Sequence, residues 1–214
     1  LERSDSTQVS REGMQPTRST LSGNVPEQLM ILENGISFEV DPVEGQKTGF
    51  FLDQRDNRQR LADYCNKDNT VLNCFAFTGG FSVYTALKGA TTTSVELSKP
   101  AVELTKRNMI HNKIDPKKHE FICDNVFEYL RKADADRFDR IVLDPPAFAK
   151  QRKQVQKAAR GYKDINRLAM ERIKADGILI TCSCSAALDM DLFQKIVFSA
   201  AQEAGRDVQI IGRP

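Results

Sequence analysis

The sequence has 214 residues, of which only two are histidines and five are cysteines. It lacks any apolar run of about 18 residues, the length that a membrane-spanning helix needs. Its charged N-terminus lacks the apolar core of a signal peptide. An odd number of cysteines without a C-x-x-C pair excludes a disulfide scaffold and a zinc ribbon. These absences predict a cytoplasmic protein with no membrane association and no metal site.

Charge is almost balanced over the whole chain, with 31 Lys and Arg against 29 Asp and Glu. The balance hides a basic stretch at residues 150–174, which holds nine Lys and Arg against two acidic residues. Such a stretch is typical of a polyanion-binding surface. A solvated helix face would look the same in sequence, so both interpretations stay open.

The length suggests one full domain and an appendage, since domains average about 150 residues. We place the boundary after residue 65, which gives segments 1–65 and 66–214. In the first segment, residues 29–32 and 36–40 are typical of strands, and the Asn34-Gly35 pair between them predicts a hairpin. A polar helical stretch follows at residues 53–64.

From residue 70 onwards, short apolar strands alternate with amphipathic helices, which predicts a parallel sheet covered on both faces. Strands are predicted at residues 71–75, 92–96, 120–123, 140–143, 178–182 and 208–211. Helices are predicted at residues 81–88, 99–112, 126–132, 155–174 and 189–204. The fold class is therefore α/β.

The first predicted strand runs into a tight glycine turn in the sequence L-N-C-F-A-F-T-G-G-F, residues 72–81. Glycines at this point let the backbone approach a ligand at the carboxyl edge of the sheet. The pattern is not G-x-G-x-x-G, so a dinucleotide pyrophosphate is not favoured. A purely structural strand–turn–helix stays an alternative.

Carboxylates close the next two predicted strands. Glu96 lies 21 residues after Phe75, an offset at which an acidic side chain typically accepts hydrogen bonds from ribose hydroxyls. Asp124 follows the third strand and is a second candidate, for the adenine edge. An ordinary polar strand end is the alternative for Glu96.

The loop Asp144-Pro145-Pro146-Ala147-Phe148 follows the fourth predicted strand. Two prolines fix an extended and rigid loop at the binding edge of the sheet. A carbonyl there can accept a hydrogen bond from the exocyclic amine of a base. A structural reason for this sequence is hard to find, so we favour a functional one.

Two thiols, Cys182 and Cys184, lie at the end of the fifth predicted strand, where residues two apart share a face. They are too few for zinc, and both histidines lie elsewhere in the sequence. We predict a nucleophile here and prefer Cys184, because Cys182 adjoins an apolar run whose burial would suppress the thiolate. Cys65, Cys74 and Cys123 are predicted to be buried and inert.

Taken together, these motifs resemble the class I S-adenosylmethionine-dependent methyltransferases, and more narrowly the bacterial 23S ribosomal RNA cytosine-5 methyltransferases that carry a PUA domain. The resemblance rests on residues 44–55, Phe77-Thr78-Gly79-Gly80-Phe81, the Asp144-Pro145-Pro146-Ala147-Phe148 loop and Ser183-Cys184-Ser185. It implies a Rossmann-like domain with a small β-rich N-terminal segment, S-adenosyl-L-methionine as cofactor and ribosomal RNA as substrate.

The resemblance also implies the site residues. The cofactor is expected against Phe75, Phe77, Thr78, Gly79, Gly80, Phe81, Glu96, Leu97, Ser98, Asp124, Asn125, Val126, Asp144 and Pro145. Catalysis is assigned to Cys184, Asp144 and Cys182, and substrate binding to Pro146, Phe148, Lys150 and Arg152. Residues 46–55 are expected to fold over the cofactor side of the domain, with a structural packing strand as the alternative.

Two departures from the resembled family bear on these expectations. A PUA domain and a final strand hairpin would lie outside residues 1–214, so the chain is expected to be a fragment. Many RNA cytosine-5 enzymes have a second cysteine after the Asp-Pro pair, where this chain has Pro146 and Ala147. A two-cysteine release mechanism therefore does not transfer.

The chemistry expected is addition of a cysteine thiolate to C6 of a flipped cytosine, which activates C5 for methylation. The alternative enzyme methylates an exocyclic amine, guanine N2 or adenine N6, and needs no cysteine. A non-catalytic S-adenosylmethionine- or RNA-binding module is the alternative from another class. A homodimer is kept open beside a monomer.

Overall fold

The computed structural model describes residues 2, 3, 13, 15, 17–45, 49–149 and 151–213. The chain divides into two compact units, and the division along the sequence falls between Arg55 and Asp56. The predicted boundary, after residue 65, lies inside the second unit. Residues 56–65 belong there because the helix that they form packs Leu61 against Val71 and Phe81.

The first unit contains two small antiparallel sheets. Strands β1 (Glu2–Arg3) and β2 (Arg18–Ser19) form one pair, and β3 (Leu29–Glu33) and β4 (Ile36–Val40) form the other. Asn34 and Gly35 connect β3 to β4 with φ values of 52° and 80°. These left-handed conformations are the ones that a two-residue hairpin turn needs, so the predicted hairpin is confirmed.

The second unit alternates strands and helices along the chain. Its strands are β5 (Thr70–Cys74), β6 (Thr91–Glu96), β7 (Glu120–Cys123), β8 (Phe138–Leu143) and β9 (Ile173–Thr181). The helices are α1 (Arg55–Asp63, which starts at the last residue of the first unit), α2 (Gly80–Leu87), α3 (Lys99–His111), α4 (Val126–Lys132), α5 (Val155–Arg172) and α6 (Met190–Glu203). Short 3-10 turns occur at Leu52–Gln54, Pro116–Lys118 and Arg152–Gln154.

The five strands of the second unit form a parallel sheet in the order β7-β6-β5-β8-β9. The chain proceeds outwards from β5 in one direction and then returns to place β8 on the other side of β5. This reversal creates a crevice outside the carboxyl ends of β5 and β8, which is where open α/β sheets bind ligands. The predicted α/β fold is confirmed.

Helices cover both faces of this sheet and create two core clusters. On one face, Leu72 and Leu143 pack with Leu130 of α4 and Ile165 of α5. On the other face, Val71 and Val142 pack with Leu61 of α1 and Phe81 of α2. Neighbouring residues of one strand therefore enter different clusters, which explains why these strands are apolar at consecutive positions.

One predicted strand has the wrong bounds, and another does not form within the described residues. β9 begins at Ile173, with a register shift between Phe138 and Arg140 on β8, and ends before Cys182. Residues 208–211, predicted as a sixth strand, pair with no strand in the described part of the chain. A strand forms only where a neighbouring strand supplies hydrogen-bond partners for its backbone. The apolar side chains of this segment remain exposed, with Ile211 at 61%. None of the described helices has the length and apolar character to cross a bilayer.

Candidate functional site

The loop after β5 is held in an unusual backbone conformation at the crevice. Phe75 and Phe77 have φ values of 58° and 48°, in the left-handed region that bulky residues seldom occupy. Gly79 has φ of 80° and caps the start of α2. A β-carbon at Gly79 would lie 2.3 Å from Cγ2 of Thr105, so no larger residue fits there. Strain of this kind persists where surrounding contacts fix the loop.

Side chains from β6 and α3 supply those contacts. The carboxylate of Glu96 accepts hydrogen bonds from the backbone N–H of Phe77 (3.0 Å) and of Ser98 (2.9 Å). The hydroxyl of Thr105 donates to the Phe77 carbonyl, and the buried amide of Asn108 donates to the Thr78 carbonyl. Sequence reasoning identified Glu96 but missed Thr105 and Asn108, because nothing local marks a side chain on α3 as a partner of this loop.

Further residues at this edge differ in what their side chains can offer a ligand. Phe81 and Val126 lie in the core clusters and are about 5% exposed or less, so only their backbone faces the edge. The Asn125 side chain caps α4 by accepting from the N–H of Phe127. Leu97 is 70% exposed, and a half-buried Asp124 carboxylate accepts from the Asn125 N–H.

This edge fits the predicted cofactor in its chemistry. Each oxygen of the Glu96 carboxylate accepts one backbone N–H and keeps acceptor capacity for a hydroxyl pair. The exposed apolar surface of Leu97 suits an aromatic base. The hydroxyl of Thr78 is buried and has no hydrogen-bond partner among the described residues, which leaves a polar group in the glycine turn unsatisfied.

The second half of the crevice is built from the loops after β8 and β9. In the β8 loop, Pro145 is buried, Pro146 is exposed, and Asp144 and Phe148 are half-buried. The ring of Phe148 packs on Tyr162 of α5, with centroids 4.5 Å apart. A β-carbon at Gly161 would lie 3.3 Å from that ring, so the glycine lets Phe148 approach α5 closely.

Cys184 lies beside the β8 loop. Its thiol is exposed and donates to the carbonyl of Pro145 at 3.5 Å. Cys182 is half-buried, and its backbone N–H extends the sheet by donating to the Leu143 carbonyl at 2.8 Å. The two thiols follow β9 rather than lying on it, so their spacing does not place them on one strand face as the sequence predicts.

A buried hydroxyl pair joins the two loops to each other. The hydroxyl of Ser185, 3% exposed, accepts from the Ala149 N–H at 3.1 Å and shares a 3.0 Å hydrogen bond with the hydroxyl of Tyr162. Tyr162 is fully buried. Ser185 lies next to Cys184, so this pair fixes the thiol relative to the β8 loop. Sequence reasoning missed Tyr162, since a tyrosine on an apolar helix face resembles any core residue.

The remaining cysteines have different surroundings. Burial raises the pKa of the Cys65 thiol to about 11 and that of the Cys74 thiol further still. Both shifts favour the protonated thiol. Cys74 is buried as predicted, whereas Cys65 is only half-buried. The prediction for Cys123 is wrong, because this residue ends an outer strand and is exposed, with its thiol donating to the Leu97 carbonyl at 3.4 Å.

Several predicted residues lie outside the described part of the chain. These are Lys150, the side chain of Arg152 and residues 46–48. In the described part of the chain, His, Cys, Asp and Glu form no group of three that could hold a metal ion.

Comparison with known proteins gives a consistent family. A family model described as S-adenosylmethionine-dependent methyltransferase matches residues 9–208. The chain is 48% identical to Ribosomal RNA large subunit methyltransferase I from Pseudoalteromonas translucida, over 99% of this chain and 54% of that protein. It is 46% identical to the protein of the same name from an Enterobacter species, over 98% of this chain and 54% of that protein. The chain thus spans about half the length of these relatives.

Solved structures support the fold. A methyltransferase crystallised as a complex with SAH is 33% identical, with a TM-score of 0.74 over 85% of this chain and 48% of that chain. A SAM-dependent methyltransferase from Agrobacterium tumefaciens has a TM-score of 0.71 at 19% identity, over 86% of this chain and 61% of that one. The second likeness concerns the fold alone.

Proposed function

The chain belongs to the S-adenosylmethionine-dependent methyltransferase family, and from this premise we propose that it forms 5-methylcytosine in large-subunit ribosomal RNA through a cysteine nucleophile. The observation that carries the proposal is the exposed Cys184 thiol, 3.5 Å from the Pro145 carbonyl at the carboxyl edge of the sheet. The names of the relatives from Pseudoalteromonas and Enterobacter support ribosomal RNA as the substrate.

The first half of the crevice holds the cofactor in this proposal. S-adenosylmethionine supplies an electrophilic methyl group on a sulfonium. Glu96 accepts from the ribose hydroxyls, and Asp124 with Leu97 faces the adenine. The loop Phe75–Gly80 brings its backbone against the cofactor, together with Ser98, Asn125 and the backbone of Phe81 and Val126. Support comes from the two backbone hydrogen bonds that already orient the Glu96 carboxylate.

The second half of the crevice holds the target base. Asp144 binds the N3 and N4 edge, and the Pro145 carbonyl accepts from the N4 amine. Leaving the stack costs a few kcal/mol, which contact with Pro146 and Phe148 offsets. The half-buried ring of Phe148, already packed on Tyr162, provides a fixed aromatic surface for this purpose.

Cys184 then carries the covalent step. Its thiolate would add to C6, and the electrons that move to C5 would attack the methyl group, whose bond to the sulfonium sulfur breaks so that S-adenosylhomocysteine leaves. Loss of the C5 proton to an acceptor restores the C5–C6 double bond and expels the thiolate, so that no net electrons are consumed. A free thiol has a pKa of about 8.5 and is largely protonated at neutral pH. Donation of the Cys184 thiol to Pro145 orients the sulfur before deprotonation.

Methylation of an exocyclic amine is the second candidate function. The Asp144-Pro145-Pro146 sequence with an aromatic residue after it favours this reaction equally, since a carboxylate and a carbonyl suit an amine. Methylation of an exocyclic amine needs no cysteine, so the exposed Cys184 thiol would have no catalytic role in that reaction. The exposed Cys184 thiol beside the Pro145 carbonyl therefore supports cytosine C5 as the proposed target. A module that only binds cofactor or RNA would leave the thiol without a role as well.

The test measures methyl transfer from labelled cofactor to unmodified large-subunit ribosomal RNA, followed by identification of the modified nucleoside. We expect 5-methylcytosine. An N-methylated purine would establish the second candidate, and binding without transfer would establish the module. RNA with 5-fluorocytosine at the target then separates the thiols: Cys182→Ala should form the covalent adduct, and Cys184→Ala should not. The reverse result would make Cys182 the nucleophile.

Four features stay predictions beside this function. Lys150 and Arg152 are proposed to contact RNA phosphates. Residues 46–55 are proposed to lie near the cofactor side of the methyltransferase domain. Cytoplasmic location and a homodimer are further expectations, and size-exclusion chromatography with light scattering tests the second.

A further inference from the structure

The basic stretch at residues 150–174 has two halves with different electrostatics. In the second half, Arg167 contacts both Asp164 and Glu171, and Arg172 contacts Glu171. Lys174 bonds to Asp139 on β8 at 3.0 Å. These three cations are therefore compensated by acids of the same chain. Because each of them is already paired with a carboxylate, they attract an external polyanion only weakly.

The first half carries cations without such partners. Lys153, Lys157 and Arg160 are exposed, and no carboxylate in the described part of the chain pairs with any of them. Lys157 and Arg160 are three residues apart on α5, so their side chains are neighbours on one helix face. Lys153 lies just before them, in the 3-10 turn Arg152–Gln154. The uncompensated cations among the described residues of the stretch thus lie in its N-terminal half.

A second helix brings another cation to this region. Arg160 and Lys163 of α5 line an open groove together with Lys195 and Ser199 of α6. Lys163 is bonded to Glu203 at 2.7 Å, whereas Arg160 and Lys195 have no carboxylate partner within the described residues. The floor of the groove is apolar, formed by Ala159 and Ile196. Nothing in the sequence of α5 predicts the contribution of Lys195.

The groove adjoins the proposed base site. Its floor residues, Ala159 and Ile196, belong to the cluster that contains Ala149 and Phe148 of the β8 loop. Gly161, which follows Arg160 directly, lies against the Phe148 ring. A polyanion held by Arg160 therefore passes close to the loop that receives the base.

We propose that the groove between α5 and α6 binds the phosphate backbone of the RNA substrate beside the target nucleotide. The inference rests on the proposed function, because the groove would bind the same RNA whose target base enters the β8 loop. Arg160 offers a planar fork of donors that matches a phosphate, and Lys195 adds a point charge. Arg160 and Lys195 thus provide the groove with two uncompensated cations for the phosphates of one strand.

The test compares two variants that each lose two positive charges. Arg160→Ala/Lys195→Ala removes the uncompensated cations of the groove. Lys117→Ala/Lys118→Ala removes exposed cations from the 3-10 turn Pro116–Lys118, which precedes β7 at the opposite edge of the sheet. Binding of an unmodified ribosomal RNA fragment is measured by fluorescence anisotropy at several salt concentrations, with cofactor affinity measured by calorimetry.

We expect the groove variant to bind RNA about tenfold more weakly at low salt and to lower the slope of log Kd against log salt by about 1 to 2. Cofactor affinity should not change, and the control variant should keep the slope of the parent chain. An unaltered slope in the groove variant, or an equal loss in the control, would overturn the proposal. An acidic polypeptide that competes with RNA at equal affinity would assign the groove to a protein partner instead.

The outcomes separate this proposal from the function it rests on. A product other than 5-methylcytosine, with a reduced salt slope in the groove variant, would leave the groove as the phosphate site and replace only the reaction. Transfer to cytosine C5 with an unaltered slope would keep the reaction and remove the groove from the RNA path.

Discussion

The parallel strands begin at the amino edge of the five-stranded sheet and end at its carboxyl edge. Side-chain hydrogen bonds stabilise these two edges in different ways. At the amino edge, side chains join neighbouring strands: Asp139 of β8 accepts from Thr70 of β5 and from Lys174 of β9. His119 and Glu120 join β7 to β6 in the same manner. At the carboxyl edge, side chains instead hold the backbone of loops, as Glu96 holds Phe77 and Ser185 holds Ala149.

This difference separates stability from function. The hydrogen bonds between strands at the amino edge stabilise the fold and involve no residue of a proposed ligand site. Hydrogen bonds to loops at the carboxyl edge set the positions of groups in the proposed cofactor and base sites. Substitutions at the amino edge should therefore change the free energy of unfolding and its pH dependence, whereas substitutions at the carboxyl edge should change binding or turnover in a chain that stays folded.

The largest effect is expected for Tyr162→Phe. The change removes one buried hydroxyl and with it the bond to Ser185, so the Cys184 loop loses its fixed distance from the β8 loop. We expect kcat to fall by about a hundredfold, the cost of a displacement near 1 Å, with cofactor affinity unchanged. Steady-state methyl transfer measures kcat, and Tyr64→Phe, at an exposed tyrosine, is the control.

A double-mutant cycle decides whether Tyr162 acts through Ser185. If it does, Ser185→Ala should lower kcat by a similar factor, and the double variant should lose little more than either single one. Additive losses would show that Tyr162 acts in another way and would remove it as a positioning residue.

Asp139→Asn should have the next largest effect, on stability alone. Burial would raise the pKa of this carboxyl, but hydrogen bonds from Thr70 and Lys174 outweigh burial and hold its pKa below the usual range. We expect a loss of about 2 kcal/mol in the free energy of unfolding at neutral pH, from urea titrations. Turnover below the unfolding temperature should match that of the parent chain.

The pH dependence gives this prediction its control. A lowered folded-state pKa means that the stabilisation is present above the ordinary pKa of aspartate, about 4, and is lost as pH falls through the folded-state value. The gap between parent and variant should therefore close in acid. A gap that persists in acid would mean that lost packing, rather than the ionised carboxylate, explains the effect.

Glu96→Ala should weaken S-adenosylmethionine binding by about tenfold, the scale of lost charge-assisted hydrogen bonds. The variant removes acceptors from the ribose and releases the N–H groups of Phe77 and Ser98. Calorimetry measures the affinity. Glu120→Ala is the matched control, since Glu120 accepts from Thr93 and Arg137 at the amino edge and should affect stability only. Equal cofactor affinity in Glu96→Ala and the parent would remove Glu96 from the site.

The smallest effect concerns His119. Burial lowers the pKa of this imidazole, although the charge of Asp115 opposes the shift. Its Nδ1 accepts from the Thr92 N–H, so the neutral form is the one that fits. Stability should be complete above the ordinary pKa of about 6.5 and should fall by less than about 1 kcal/mol as pH drops through the folded-state value. Urea titrations at pH 7 and 5 measure it, and His119→Asn should remove the change.

Sequence patterns predicted most of the fold because short-range chemistry fixes it. Helix α4 has the predicted bounds, since Asn125 caps it and Val126 and Leu130 fall on its buried face. The two wrong strand predictions share a cause. Residues 208–211 are apolar but pair with no strand in the described part of the chain, whereas the largely polar residues 173–177 extend β9 because Ile173 pairs with Phe138 of β8. Both outcomes depend on a neighbour far away in sequence.

For the site, the sequence by itself determined which residues reach the carboxyl edge of the sheet. Parallel strands end at the same edge, so Phe75, Glu96, Asp144 and Cys184 had to arrive there. Only the tertiary structure decided which of them touch and how they are held. The Cys184 contact with Pro145, the Tyr162 bond to Ser185 and the groove that Arg160 of α5 shares with Lys195 of α6 each join elements that the strand order and helix packing bring together. Local propensities are blind to such pairs, because their energies depend on distances that no stretch of sequence contains.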